Sequence, residues 1–102
     1  MARYVIAESA NADIDDILCV IVRDNEPAAW RWYTELHAKF GLLAESPHIG
    51  RVRDDLLPDA HMFPFGNYLI FYDIAPHLIH ILHVVHGARD VANVFSVERG
   101  RP

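Results

Sequence analysis

Cysteine, lysine and long apolar runs are all scarce in this 102-residue chain, and each scarcity excludes a class of protein. With Cys19 as the single cysteine, no disulfide can form within the chain. No apolar run approaches the roughly 20 residues that a membrane-spanning helix needs, and no secretory signal is visible at the amino terminus. We therefore predict a reduced, cytoplasmic protein that does not enter a membrane. Because Cys19 lies in the apolar run 17–21, we expect it to be packed rather than reactive.

Positive charge is also in short supply. Nine basic residues, of which only Lys39 is a lysine, face fourteen acidic residues, so the net charge is −5. A chain with this balance repels nucleic acid at long range. We therefore do not expect it to bind nucleic acid directly, although a local basic site remains compatible with the composition.

Hydrophobic periodicity predicts two consecutive helices in the first half of the chain. After a short strand at 3–8, Ser9 is a suitable N-cap, and apolar residues then recur at spacings of three and four. Pro27 is placed to begin a second helix after two or three loop residues, a connection short enough to predict a helical hairpin. The predicted apolar stripes are Ile14, Ile17, Leu18 and Ile21 in the first helix, and Ala29, Trp32, Tyr33, Leu36, Phe40 and Leu43 in the second.

Strand-forming residues predict a hairpin of strands in the second half. They fill 67–75 and 78–85 on either side of Pro76-His77, whereas 45–66 reads as loop apart from a short strand near 61–63. A short helical stripe follows Asp90. We predict one domain over residues 1–102, of the α/β (α+β) class, in which the helical hairpin packs on a mainly antiparallel sheet of three to four strands. The other face of the sheet is expected to be free as a concave working surface, unless another chain covers it.

The histidines of the last predicted strand do not suggest a metal site. By strand alternation, His80 and His86 share one face and His83 lies on the other. His80 and His86 are also about 20 Å apart along an extended strand, whereas zinc ligands converge within about 2.1 Å of the ion. We predict neither a metal site nor a cofactor.

Polar residues follow at the end of this strand, and one of them, Arg89, has two possible roles. Gly87 permits a tight exit from the strand, and Asp90 suits the start of a helix. Arg89 gains nothing from the helix dipole. It either ties loop acceptors together or faces an anionic partner together with His86.

Segments spread over most of the chain carry a family resemblance. They are 12-ADIDDI-17, Asn25 with Ala28-Ala29, Phe40, Leu43, Ser46-Pro47, Gly50-Arg51, 63-FPFGNYLIFY-72 and 81-ILHVVHGARD-90. In this order and at these spacings they resemble the RelE/ParE superfamily of toxins from type II toxin–antitoxin systems, and within it the ParE-like branch. The resemblance implies a compact α/β fold with a helical hairpin on a mainly antiparallel sheet. It also implies a cognate antitoxin whose C-terminal segment wraps the toxin in a hetero-oligomer and neutralises it.

The two branches of the superfamily act differently. RelE-like members cut messenger RNA on the ribosome with a cluster of basic residues and often a tyrosine, whereas ParE-like members are associated with inhibition of DNA gyrase. Here His61 stands where many relatives have an arginine, and Phe95 stands at the place of the tyrosine. Val52 and Asp54 lie near the places of the nuclease lysines.

Two functions lead from the resemblance, and a toxin with another target, or one that has lost toxicity, also stays open. The favoured one is a non-enzymatic toxin directed at DNA gyrase. The alternative is a ribosome-dependent mRNA endonuclease, in which His61 and His86 act as acid and base and Arg89 stabilises the phosphorane charge.

Four residues are predicted to bind a partner. Trp30 lies outside the apolar stripe of the second helix, so it either lines an antitoxin groove or is a scattered surface aromatic. Arg51 and Arg53 lie close to the places of the nuclease lysines. Together with Arg89 these residues form the predicted binding set.

Overall fold

The computed structural model describes residues 3–87, which form two helices, a 3₁₀ turn and five strands. The elements in chain order are β1 (Tyr4–Ile6), α1 (Glu8–Asp24), α2 (Glu26–Glu45), the 3₁₀ turn (Pro47–Ile49), β2 (Arg51–Val52), β3 (His61–Phe65), β4 (Tyr68–Ile74) and β5 (Ile79–His86). The predicted final helix and Arg89 lie outside the described residues. None of the helices within 3–87 is long and apolar enough to span a membrane.

The five strands form one mixed sheet in the order β1-β5-β4-β3-β2. All neighbours are antiparallel except β1, which runs parallel to β5. The predicted α+β architecture is confirmed, but the predicted strand count is too low. The missing strand is β2, whose two residues are too few to show a periodic pattern inside a segment rich in turn residues.

The helix boundaries follow local capping chemistry. The side chain of Asn25 accepts a hydrogen bond from the backbone N–H of Ala28 at 3.1 Å and so caps α2. This single residue separates the two helices. Ser9 is not the N-cap of α1, because the helix already begins at Glu8 after Ala7. The Ser9 hydroxyl instead donates to the Leu82 carbonyl of β5 at 2.7 Å.

The main core lies between the helical hairpin and one face of the sheet. Leu36, Phe40 and Leu43 of α2 are fully buried there, which confirms the predicted stripe. They pack with the following buried residues of α1 and the sheet: Ala10, Ile14, Phe65, Ile70, Tyr72, Ile79, Ile81 and Val84. Cys19 is exposed on α1, so the expectation that it packs in the core is wrong.

The opposite face of the sheet carries a second, smaller apolar cluster. Leu56, from the segment between β2 and β3, is buried against Phe71 and Val85. This segment of the chain itself covers part of the face that was expected to be free. The covering residues lie in a stretch that turn signals marked as loop. Their apolar pattern is also too short to show that the stretch packs on the sheet.

A β-bulge in β5 sets the direction of its histidines. Phe71 pairs with His83 and Tyr72 pairs with Ile81, so Leu82 is an extra residue in β5. The alternation of side chains reverses at this point. His80 and His83 consequently face the side of the second cluster, whereas His86 lies on the helix side. The pairing of His80 with His86 expected from alternation is therefore wrong.

Candidate functional site

The two predicted catalytic histidines lie far apart on the sheet. His61 begins β3 opposite Tyr72, and His86 ends β5 opposite Tyr68. Four residues along β4 and two strand spacings separate them, which amounts to roughly 16 Å. The described residues therefore do not bring His61 and His86 to a common phosphate. The third predicted catalytic residue, Arg89, lies outside the described residues.

His61 instead has a different histidine as its neighbour. Its ring centroid lies 6.2 Å from that of His48, which belongs to the 3₁₀ turn. On its other side His61 stacks on Tyr72, with centroids 5.4 Å apart and an interplanar angle of 27°. Its Nδ1 lies 3.1 Å from the backbone carbonyl oxygen of Asp59. Sequence reasoning passed over His48 because the 3₁₀ turn and β3 are brought together only by the fold.

Tyr72 holds the turn that carries His48. Its buried hydroxyl donates to the carbonyl of Pro47 at 2.6 Å and accepts from the N–H of Gly50 at 3.1 Å. Burial raises the pKa of Tyr72, and the hydrogen bond from Gly50 offsets only part of that rise. The hydroxyl therefore stays protonated and keeps its donor role. One side chain thus pins both ends of the 3₁₀ turn.

The two predicted binding arginines near β2 differ in their environment. The guanidinium of Arg53 forms two hydrogen bonds with the Asp55 carboxylate, at 3.0 and 2.9 Å, and also contacts the Met62 sulfur at 3.5 Å. The hydrogen bonds to Asp55 raise the pKa of Arg53. Arg51 is exposed on the edge strand, and within residues 3–87 it forms no ion pair. Of the two, Arg51 is the one that no carboxylate among residues 3–87 engages in an ion pair.

Trp30 is the most prominent exposed aromatic residue of the hairpin. Its side chain lies on the first turns of α2 with 56% of its surface exposed. It meets the ring of Tyr33 edge-on, at a centroid distance of 6.2 Å. The row continues inward along α2 through His37 to the buried Phe40. Trp30 is thus the exposed end of a row of aromatic ring contacts along α2.

An open groove between α2 and the β3–β4 turn was not predicted. Its aromatic wall is formed by Trp32, Phe65 and Tyr68, with Trp32 and Tyr68 in edge-to-face contact at 5.4 Å. Glu35 and Lys39 line the same groove, whose volume is ≈ 440 Å³. The sequence signal was the Trp32–Glu35–Lys39 spacing, which places all three residues on one side of α2.

Comparison with known proteins agrees with this architecture. A family model described as "ParE toxin of type II toxin-antitoxin system, parDE" matches residues 4–91. A solved structure described as "Chromosomal ParDE TA system from P. aeruginosa" is similar, with a TM-score of 0.70 and 18% sequence identity, over 84% of this chain and 96% of that chain. At this identity the likeness shows the fold alone, and it confirms the predicted one. No curated protein matches the chain.

Proposed function

We propose, since the chain belongs to the ParE family of toxins from type II toxin–antitoxin systems, that it stops growth by binding DNA gyrase and that a cognate antitoxin neutralises it. The family membership is the observation that carries the proposal, because the ParE-like branch that the sequence resembles is associated with gyrase inhibition. The toxin and antitoxin form a hetero-oligomer, and the toxin acts in the cytoplasm without binding nucleic acid itself.

Charge and geometry both support a binding function over RNA cleavage. Cleavage by attack of the 2′-hydroxyl needs a base and an acid on opposite sides of one phosphate. His61 and His86, the candidates for these roles, lie at opposite ends of the sheet. A net charge of −5 gives little attraction for ribosomal or messenger RNA.

The exposed end of the helical hairpin supports a role in antitoxin binding. Trp30 offers a large apolar side chain that already packs against Tyr33. Binding a partner there therefore costs little side-chain conformational entropy. Aromatic residues held in this way are the usual anchors of protein interfaces. We assign Trp30 to the antitoxin interface, and Arg51 to contact with an acidic side chain of a partner.

The proposal is tested by expressing the toxin without antitoxin, as wild type and as the His61→Ala/His86→Ala double variant. Growth, plasmid supercoiling and the integrity of ribosome-bound messages are measured in the same cultures. We expect both proteins to arrest growth and reduce supercoiling while messages stay whole, because binding gyrase needs no acid–base chemistry. A His77→Ala/His80→Ala variant controls for the loss of two histidines elsewhere on the surface.

The same cultures detect the alternative function. If the toxin is a messenger RNA endonuclease, wild-type toxin cuts ribosome-bound messages and the His61→Ala/His86→Ala variant leaves them intact. Loss of a general acid or base then lowers cleavage by about a hundredfold or more. That result would reject gyrase as the target.

A further inference from the structure

We propose that His48 and His61 form a two-imidazole site for a borderline divalent metal ion, with Zn²⁺ as the expected ion. Their ring centroids lie 6.2 Å apart at an interplanar angle of 71°. His48 is exposed and His61 half-buried, so an ion reaches them from solvent. The site is independent of the toxin's target, and it was not predicted from the sequence, in which His61 was grouped with His86 of β5.

The hydrogen bonding of His61 fixes the tautomer that binds a metal. Its Nδ1 lies 3.1 Å from the carbonyl oxygen of Asp59, and a carbonyl only accepts, so Nδ1 carries the proton. The lone pair of the neutral ring is therefore on Nε2. A histidine that donates its other N–H to a backbone carbonyl is the usual arrangement for a metal ligand, because the bond fixes both the tautomer and the ring orientation.

Tyr72 holds both the ring of His61 and the backbone of the turn that carries His48. Its ring stacks against His61 at 5.4 Å. Its hydroxyl bonds to Pro47 and Gly50, which flank the turn residues that carry His48. The two ligands come from separate elements, but one buried side chain fixes the backbone of the turn relative to the His61 ring, so only the His48 side chain has to rotate. This preorganisation distinguishes the pair from two surface histidines that are close by chance.

The ring separation fits a shared ion after a small rotation. Zinc binds imidazole nitrogen at about 2.0–2.1 Å, which brings two rings on a tetrahedral ion to a centroid distance of about 5 Å. The observed 6.2 Å closes by rotation of the exposed His48 side chain, while His61 stays in place. Imidazole ligands select Zn²⁺, Cu²⁺ and Ni²⁺ over Mg²⁺ and Ca²⁺, which prefer oxygen.

The chain supplies only part of the coordination shell. Within residues 3–87, no group of three or more histidine, cysteine, aspartate or glutamate side chains is arranged to hold a metal ion. Two positions of a tetrahedral ion at His48 and His61 are therefore left for water or for a side chain of a partner protein. Such an open site binds more weakly than a closed structural zinc site.

The experiment is a titration of the full chain, freed of any histidine tag, with Zn²⁺ at neutral pH by isothermal calorimetry. We expect one Zn²⁺ per chain. His48→Ala, which changes an exposed side chain and leaves the core intact, is expected to weaken binding at least tenfold. Tyr72→Phe keeps the ring but releases the turn, and is expected to weaken binding about tenfold, as removal of a supporting group usually does.

Two matched variants locate the site. His77→Ala removes an exposed histidine from the turn between β4 and β5. His80→Ala removes the half-buried histidine whose Nδ1 lies 2.8 Å from the Asp73 carboxylate, a competing metal-binding position. Both are expected to bind Zn²⁺ as wild type does. The proposal is overturned if wild type shows no saturable binding, if His48→Ala binds as wild type, or if binding is lost in His80→Ala instead. Wild-type affinity in Tyr72→Phe would overturn the positioning role of Tyr72.

Discussion

Asp13 on α1 and His83 on β5 lie 70 residues apart in sequence and form a hydrogen bond, in which Nδ1 of His83 donates to Oδ2 of Asp13 at 2.9 Å. The same carboxylate oxygen accepts from the backbone N–H of Val84 at 3.1 Å. Strand β1 pairs with β5 only as far as Ile81. Beyond that point the Asp13 carboxylate, in place of a neighbouring strand, accepts the hydrogen bond from the Val84 N–H. One carboxylate thus satisfies the hydrogen-bond donors of two β5 residues at the strand edge that β1 leaves unpaired, next to the bulge.

Replacement of Asp13 should therefore destabilise the fold. Asp13→Ala leaves the buried Val84 N–H without an acceptor, which costs about 1–3 kcal/mol in the free energy of unfolding. Asp16→Ala, on the exposed side of the same helix, is the control and should change that free energy by less than about 0.5 kcal/mol. Urea unfolding followed by circular dichroism measures both. Equal effects of the two variants would show that Asp13 does not hold the edge of β5.

Gly50 and Gly41 should respond to alanine with opposite signs. A methyl group at position 50 would collide with the Tyr72 hydroxyl, whereas a methyl group at position 41 in α2 meets nothing within 4 Å. We expect Gly50→Ala to lower the free energy of unfolding by about 1–3 kcal/mol, the usual cost of overpacking. Gly41→Ala should raise it by up to about 1 kcal/mol, because alanine favours the helix. Thermal unfolding of both variants measures the difference, and a stabilising Gly50→Ala would contradict the placement of Tyr72.

His37 should make stability depend on pH. Its Nδ1 lies 2.9 Å from the Tyr4 hydroxyl, and its Nε2 is buried without a partner among the described residues. Burial lowers the pKa of His37 from its ordinary 6.5. Below about pH 6.5 His37 becomes protonated in the unfolded chain but stays neutral in the folded chain. Its contribution to the free energy of unfolding is therefore fully present above about pH 6.5 and is lost as the pH falls towards the folded-state pKa.

The measurement is the free energy of unfolding of wild type and His37→Gln on both sides of that pH. Glutamine keeps a polar side chain but does not titrate, so the loss of stability on acidification should be smaller in the variant. The comparison cancels the contributions of the other histidines, which both proteins share. An identical loss in the two proteins would show that His37 is protonated as readily in the fold as in the unfolded chain.

Trp30→Ala should weaken antitoxin binding while leaving the fold intact. Its side chain is 56% exposed, so its removal opens no cavity in the core. As an aromatic anchor it should contribute more than about 1 kcal/mol to binding. Calorimetry with the cognate antitoxin gives the affinity, and Arg31→Ala, at the next exposed position, is the control. An affinity equal to that of the control would remove Trp30 from the interface.

The sequence predicted those features that repeat locally. The helical stripe at Leu36, Phe40 and Leu43 shows a period that identifies the element and its buried face. The strand around Ile70 was predicted from its strand-forming residues, which identify the element but not one buried face. Features that depend on contacts between distant segments were missed. The bulge at Leu82 appears only in the pairing of β4 with β5.

The same limit explains the errors at the candidate site. Tyr72 reaches Pro47 across 25 residues, and nothing local to either residue reveals that bond. The proximity of His48 to His61 follows from it. Ser9 was a reasonable N-cap by residue type, yet its hydroxyl bonds to β5 because the strand edge there needs a donor. Residue type indicated polar function at these places, but the partners were set by the fold.

The proposed action of this ParE-family toxin on DNA gyrase is tested most directly by a supercoiling assay with purified components. Gyrase, relaxed plasmid and ATP are incubated with increasing toxin, alone or after mixing with the antitoxin. We predict that toxin alone abolishes supercoiling in a concentration-dependent manner and that the antitoxin restores it. Full supercoiling at a large molar excess of toxin that arrests growth in cells would contradict the claim.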